Sequence, residues 1–375
     1  MSTETLLIEL GTEELPPKAL KSLGLAFRDG IVAGLEQREL GFGDVQWFAT
    51  PRRLAVQIAA VQLRAEDKEL EVLGPPVDRA KDADGNWTPA AAGFAKKQGV
   101  APEDLQNIDT PKGSRLGLAR TEPGIATADC LNDIINESIG ALPIPKRMRW
   151  GASRVEFVRP VHWVVAMLGT NCDHGNILGL PTGNITRGHR FHSSGDIVLN
   201  KPEDYVTALA DARVVASFEQ RQQMIRDQVE VEASALKANA VIDPDLLDEV
   251  TGLVEWPVAL TGSFEERFLE VPAEALISSM KEHQKYFHLV DEQGQLKPNF
   301  ITLSNIESKD PVQVIAGNER VIRPRLSDAA FFFETDKKTP LADRVEKLQS
   351  IVFQQKLGTL ADKTRRIQSL AGVLA

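Results

Sequence analysis

The sequence predicts an α+β protein: a multi-part mixed body with antiparallel sheets and a helical insertion, followed by the start of an all-helical domain. Three observations predict it. The chain opens on an apolar alternation that gives way to a helical period, strand-rich stretches flank a helical block over about 200–252, and the segment after Pro340 carries helical stripes alone. The body is expected over 1–338 and the helical stretch over 339–375.

In order along the chain, Leu6, Ile8 and Leu10 alternate with Thr5, Leu7 and Glu9, which reads as a strand. "GTEELPP" interrupts it. "KALKSLGLAFRDGIVAGLEQREL" then repeats apolar residues at helical spacing through Leu20, Leu23, Phe27, Ile31 and Leu35. Pro17 suits the first helical turn, where its missing N–H leaves no partner unsatisfied. Glu13 and Glu14 read as carboxylates facing the positive end of that helix rather than as a metal or acid/base site, because no His or third ligand lies nearby in sequence. "VQWFATPRRLAVQIAAVQL" (45–63) reads as two strands broken at Pro51. An exposed module is expected over about 74–115, where the texture turns to Pro, Gly, Asp and Ala with helical pieces over 90–98 and 103–106. A helix follows over 128–141, then a basic β region over 145–195 in which "RVEFV" and "HWVVAMLG" are strands. A capping-box pattern at Ser217–Gln220 opens a long helix to about Asn239, and Asp243-Pro244 opens another. "PVALTG", "KYFHLVD" and "PNFITLSN" restore strands, the last two a hairpin around Gly294. Beyond Pro340 the chain reads as helical to Ala375, where the pattern stops without a stop signal, as in a docked terminal helix or a cut chain.

With 375 residues there is chain for two or three domains. No apolar run approaches the roughly 18 residues that cross a bilayer, and the N-terminus lacks a basic signal region, so a cytoplasmic protein without membrane attachment is expected. Cys130 and Cys172 show no CxxC spacing, so neither a disulfide framework nor a zinc ribbon is implied. The net charge of −10 argues against a generic nucleic-acid binder. The sign reverses locally: between Pro145 and His192 seven basic residues (Lys146, Arg147, Arg149, Arg154, Arg159, Arg187, Arg190) face two acids (Glu156, Asp173). A chain segregated in this way offers a positive face to a polyanion while its acidic remainder suppresses unspecific sticking.

No GxxxxGK[ST], HExxH or GxSxG occurs, and "GFGDVQ" lacks the third glycine and follows a helix, so no nucleotide loop, zincin or nucleophile elbow is implied. The densest candidate is "RGHRFHSSG". Cys172, His174, His189 and His192 match no usual zinc spacing, and the flanking arginines repel a cation. Phosphate contact fits Arg187 and Arg190 better, with Phe191 or His189 stacking on an unpaired base. "PKRMRWGASRVEFVRPVHW" repeats the chemistry, so Lys146, Arg147, Arg149 and Arg154 are read as phosphate contacts and Trp150 as a stacking surface. The plain alternative makes the aromatics core and the arginines solvated. "SSMKEHQKYFHL" shows a His pair without a nucleophile and reads as structural. In "NERVIRPRLSDAAFFFETD" the Phe331–Phe333 run reads as core, and the arginines as lining a cleft or pairing with Glu334 and Asp336. No catalytic or metal-ligating residue is assigned.

"IELGTEELPPKAL", "WFATPRRLAV", "GFAKKQGV", "IPKRMRWG", "FVRPVHW", "RGHRFH", "SMKEHQKYF", "NERVIRPRLSDAAFF" and "KLGTLADKTRRI" stand in this order, and together they resemble the β subunit of the bacterial α2β2 glycine–tRNA ligase along the whole chain. The resemblance implies that ATP and Mg are handled by the class II site of an α subunit, that no cofactor binds this chain, and that β binds tRNA(Gly) and is required for its aminoacylation. It also implies that "LGTLADKTRRIQSLAGVLA" begins an HD-like helical region, so the chain would be an N-terminal portion. Two readings from other classes stand beside it: a free-standing metal-dependent hydrolase using the His-rich loops, and an assembly scaffold without RNA contact.

Overall fold

A strand whose every residue from Leu6 to Thr12 is buried must be covered on both faces, and the first structural unit supplies both covers. The computed structural model describes residues 2–82, 84–111 and 113–375, and divides into two compact units, 1–218 and 219–375. The fold is α+β.

In the first unit β1 (Thr3–Thr12) runs into α1 (Pro17–Gln37), and β2 (Val45–Thr50) and β3 (Arg53–Gln62) form the next hairpin. β4 (Lys68–Pro76), α2 (Pro89–Gln98), β5 (Gln106–Thr110) and β6 (Gly113–Glu122) make a separate three-stranded antiparallel sheet with one helix, in the order β4-β6-β5. Ala80, Ala91, Ala95, Leu105 and Leu116 give this module its own small core. It extends beyond the expected 74–115 because β4 and β6 pair as far out as Lys68 with Glu122. α3 (Thr127–Ala141) is followed by the short pair β7 (Met148–Arg149) and β8 (Glu156–Phe157), then β9 (Val161–Leu168), β10 (Asn176–Ile177), β11 (Leu180–Gly183), the pair β12 (Ile185–Arg187) and β13 (Asp196–Val198), and α4 (Tyr205–Asp211).

The main sheet has the order β10-β11-β9-β1-β3-β2. β1 lies antiparallel between β3 and β9, with Ile8 opposite Val56 on one side and Ala166 on the other. Side chains alternate across a strand, so Leu6, Ile8 and Leu10 pack with Leu23, Phe27 and Ile31 of α1 and Leu131, Ile134 and Ile135 of α3. Leu7 packs on the opposite face with Phe48, Trp163, Met167 and the α4 residues Tyr205 and Leu209. α1 and α3 approach closely: a Cβ added at Gly34 would stand 2.6 Å from Ile134 Cγ2.

α5 (Phe218–Ala235) opens with the last residue of the first unit. The second unit continues with β14 (Asn239–Ala240), α6 (Pro244–Thr251), β15 (Val258–Ser263), α7 (Ala273–Ser278), β16 (Phe287–Val290), β17 (Leu296–Ser304) and α8 (Pro311–Lys337). The sheet β14-β16-β17-β15 is antiparallel throughout. Ile225 and Val229 of α5 and Leu246, Leu247 and Val250 of α6 pack on Phe287, Leu289 and Ile301. The expected helical block therefore serves two cores, α4 the first and α5 with α6 the second. α5 stops at Ala235 rather than near Asn239, because Asn239 and Ala240 pair with Val290 and Leu289. The expected cap at Asp243 and the hairpin turn at Gly294 are present, the Asp243 carboxylate accepting from Leu246 N at 2.9 Å.

After α9 (Leu341–Arg344) the chain is not helical throughout. β18 (Val352–Gln354) and β19 (Gly358–Thr359) form a hairpin before α10 (Leu360–Leu374). Gly358 opens β19 at φ +88°, a left-handed conformation that glycine adopts without steric cost. Thr359 then caps α10 by exchanging bonds with Asp362.

Candidate nucleic-acid interface

Glu9 is the one ionisable residue within the run Leu6–Thr12, and the alternation of β1 sends it to the face shared with Leu7 and Tyr205. It is fully buried. A carboxylate there is tolerable only if its oxygens are satisfied. Trp163 Nε1 donates to Oε1, and the Thr186 hydroxyl reaches Oε1 and Oε2 at 2.8 and 3.0 Å. Arg53, also fully buried, donates through Nε to Thr50 Oγ1 at 3.1 Å and through Nη2 to the Arg187 carbonyl at 3.0 Å. Burial and the adjacent Glu9 push the Tyr205 phenol well above its ordinary pKa, Arg53 opposing. The polar groups of one strand and its neighbour thus fix the backbone of β12 at Thr186 and Arg187.

Gly11 is required by the same packing: a Cβ there would stand 1.8 Å from Trp163 Cε2. The Trp163 ring, pressed on this glycine, has the guanidinium carbons of Arg52, Arg53 and Arg187 at 5.8, 6.0 and 5.3 Å from its centroid, within cation–π range.

Two residues further, the turn to α1 is held by Glu13 N donating to the Pro160 carbonyl at 2.9 Å and Leu15 N to the Pro51 carbonyl at 2.7 Å. The Glu13 carboxylate receives Arg190 Nη2 at 2.7 Å and lies 3.0 Å from His162 Nε2, while Arg190 Nη1 reaches Glu14 at 3.5 Å. The hydrogen bond from Arg190 holds the Glu13 carboxyl below its ordinary range, helped by His162 and opposed by burial. The expectation that these glutamates serve the dipole of α1 is thereby corrected. α1 begins at Pro17 with no acid in its first turn, and Glu13 instead ties the 187–192 loop to the start of β9.

His189, expected to stack on a base, is completely buried. Its Nδ1 accepts from the backbone N–H of Phe191 at 3.2 Å and of His192 at 3.3 Å, and its backbone N–H donates to the Ala212 carbonyl at 3.0 Å. Gly188 permits this tight path, since a Cβ there would stand 2.5 Å from Ser193 Oγ. Phe191 is left outside with 74% of its surface exposed. Arg187 pairs with Asp196 at 3.2 Å across the β12–β13 pair.

In the other basic segment Lys146 and Arg154 are exposed, and Arg149, also exposed, pairs with Glu156. Arg147 donates to the Ile139 and Gly140 carbonyls at 3.4 and 3.1 Å, satisfying the carboxyl end of α3. Trp150, expected as a stacking surface, is half-buried and packs on the main core. Arg190 stands against the Glu13–Pro16 turn through Glu13 and Glu14, and Lys146 and Arg159 line a cavity with Pro16 of the same turn.

A family model described as glycyl-tRNA synthetase beta subunit matches residues 6–375. The chain belongs to that family. Glycine–tRNA ligase beta subunits from Chromohalobacter salexigens, Marinobacter nauticus and Hahella chejuensis are 55%, 54% and 53% identical to it over its full length, and the chain spans 54% of the length of each. The family expected from the ordered motifs is therefore the family found.

The geometry adds residues to the candidate set that pattern reading passes over, Glu9, Arg52, Arg53, His162 and Tyr205, and gives Glu13 a different partner from the expected one. In sequence, Glu9 is one polar residue in a strand, and nothing there distinguishes it from a solvent-facing position. The available signal is the crowding of GTEELPP, which on its own reads as helix-entry chemistry. In the second unit, Ser279–Gln284 forms a π-helical turn closed by Lys285 at φ +61°. Lys281 pairs with Asp243 at 2.7 Å and Lys285 with Glu249 at 3.0 Å. Burial holds His288 below its ordinary pKa. The ion pairs of Lys281 and Lys285 join this turn to the start of α6 and to Glu249. The Phe331–Phe333 run is not core as a whole: Phe331 and Phe332 are each 64% exposed and Phe333 alone joins the core. Arg323 pairs with Glu265, and Asp336 and Glu334 pair with Arg344 and Lys337. Among the described residues no group of three or more His, Cys, Asp or Glu side chains converges to hold a metal ion, and no helix is long and apolar enough to cross a membrane.

Proposed function

We propose that this chain is the tRNA-binding, non-catalytic part of a cytoplasmic glycine–tRNA ligase, acting with an α subunit in an α2β2 assembly that attaches glycine to tRNA(Gly) at the expense of ATP. ATP and Mg belong to the α subunit in this reading, and the contribution of this chain to rate is position. Lys146, Arg147, Arg149, Arg154, Arg187 and Arg190 are its phosphate contacts, and Phe191 its stacking surface. The observation that supports the reading is that Arg190 of one basic motif and Lys146 and Arg159 of the other stand against the same Glu13–Pro16 turn.

Pairing with acids does not remove Arg187 and Arg190 from this role. Their side chains are 48% and 39% exposed, and exposed ion pairs contribute only about 0–1 kcal/mol. A phosphate that accepts a bidentate fork competes with such a pair, so Glu13 and Asp196 orient the guanidinium groups without sequestering them. His189 and Trp150 act beneath the surface, the first by closing the loop and the second by supporting the hairpin.

The test is binding of tRNA(Gly) to this chain across a salt series. Affinity should fall steeply with salt, and removing charges at Arg187 and Arg190 should weaken binding and flatten the slope. No binding at low salt would overturn the proposal, as would glycylation of tRNA by this chain unaided.

A further inference from the structure

Between the start of α1 and the 143–148 segment lies a cavity of about 590 Å³, within the size range of small-ligand sites. Its floor is apolar: Pro16 and Leu23 from one side, Pro143 and Ile144 from the other. Proline carries no N–H, so a polar group entering this space finds few backbone donors on the floor. The rim is cationic. Lys146 and Arg159 both line the opening, Lys146 exposed and Arg159 donating to the carbonyl of its neighbour Val158 at 3.0 Å. Neither is held by a carboxylate among the described residues. Arg147, Arg149 and Arg154 follow on the same hairpin, and the nearby Glu156 and Glu13 are already engaged by Arg149 and Arg190.

An uncharged apolar segment of a partner chain would fill the floor but would bury two cations without counter-charge, which is costly. A nucleotide that has left its helix matches both parts, offering an apolar face to stack and a phosphate to neutralise. We propose that this cavity receives one unpaired nucleotide of the RNA, its base on the proline and aliphatic floor and its phosphate at Lys146 and Arg159. The proposal rests on the tRNA-binding reading and adds a place where a base is held.

The probes are tRNA(Gly), a short single-stranded oligoribonucleotide, and the same oligonucleotide with abasic residues, each titrated against this chain. Ala19→Leu extends a side chain into the cavity from α1, where Ala19 is half-buried at its lining. Met148→Glu adds a negative charge at a rim position that is 39% exposed, so folding is spared. The intact oligonucleotide should bind about tenfold tighter than the abasic one, and each variant should erase that advantage. Equal binding of intact and abasic probes, or full binding by both variants, overturns the cavity proposal while tRNA binding still supports the wider reading. Absence of all RNA binding overturns both. Variants that bind RNA normally but lose a co-purified partner subunit would assign the cavity to protein and overturn the proposal.

Discussion

In the 187–192 loop both arginines have acidic partners, one histidine is sealed inside, and the backbone is threaded past Gly188 with no room for a side chain. In the 146–157 hairpin Lys146 and Arg154 stand in solvent, and two residues on each strand are paired. As sequences the two stretches have the same texture of arginine, aromatic and glycine. As structures, one is a platform whose cations are aimed by Glu13 and Asp196, and the other leaves Lys146 and Arg154 unneutralised beside the Arg149–Glu156 pair. Density of basic residues in a sequence is thus a poor guide to free charge, because the densest motif is the one the fold has paired.

The sharpest way to break this contrast is through Glu9. Glu9→Ala removes the acceptor of Trp163 and Thr186 and leaves two buried donors unsatisfied, so a loss of roughly 3 kcal/mol is expected. Urea unfolding of the variant measures it. A loss below about 1 kcal/mol would mean that the platform does not depend on this network. Gly11→Ala should come next. Its new methyl collides with the Trp163 ring, and overpacking of this kind costs about 1–3 kcal/mol. A changed indole fluorescence should accompany the loss, and an unshifted spectrum at full stability would contradict the packing.

These residues also mark where sequence reading stops. The alternation of β1, the break at Pro51, the helical stripes of α1 and α3, and the cap at Asp243 are legible because local physics fixes them: side-chain period, proline geometry and capping. The burial of Glu9 and His189 is not, since it depends on β9, β12 and α4 arriving from far along the chain. The partners of Glu9 stand 154 and 177 residues away, at Trp163 and Thr186. Phe331 and Phe332 mislead in the opposite sense. Their hydrophobicity suggests core, yet on α8 the buried positions are Ile322 and Leu326. The hairpin at β18–β19 escapes for want of length, its strands being three and two residues.

A smaller effect separates the two islands by function. Lys146→Ala with Arg154→Ala should leave stability within about 0.5 kcal/mol, as for exposed surface changes. The same pair should lower the salt slope of tRNA binding by roughly 0.7–0.9 for each phosphate no longer neutralised. Arg187→Ala with Arg190→Ala should lower the slope too, but with a measurable loss of loop protection in hydrogen exchange. If the hairpin pair leaves the slope unchanged, the free charges are not the ones that meet RNA.

The smallest expected effect reports on the platform alone. The Glu13 carboxyl is depressed below its ordinary value of 4.5, first by the hydrogen bond from Arg190. A depressed acid stabilises the fold when ionised, so its contribution is present above the unfolded value and disappears as pH falls through the folded one. The two side chains are 39% and 40% exposed, which limits the contribution to roughly 0–1 kcal/mol. Arg190→Ala should therefore move the Glu13 titration midpoint up toward 4.5, without reaching an unpaired state because His162 stays within 3.0 Å. A carboxyl-detected NMR titration of the parent and variant reads this shift directly. A midpoint that does not rise would show that Arg190 is held by something other than Glu13, and the loop would then be aimed by its backbone bonds at His189 rather than by its charges.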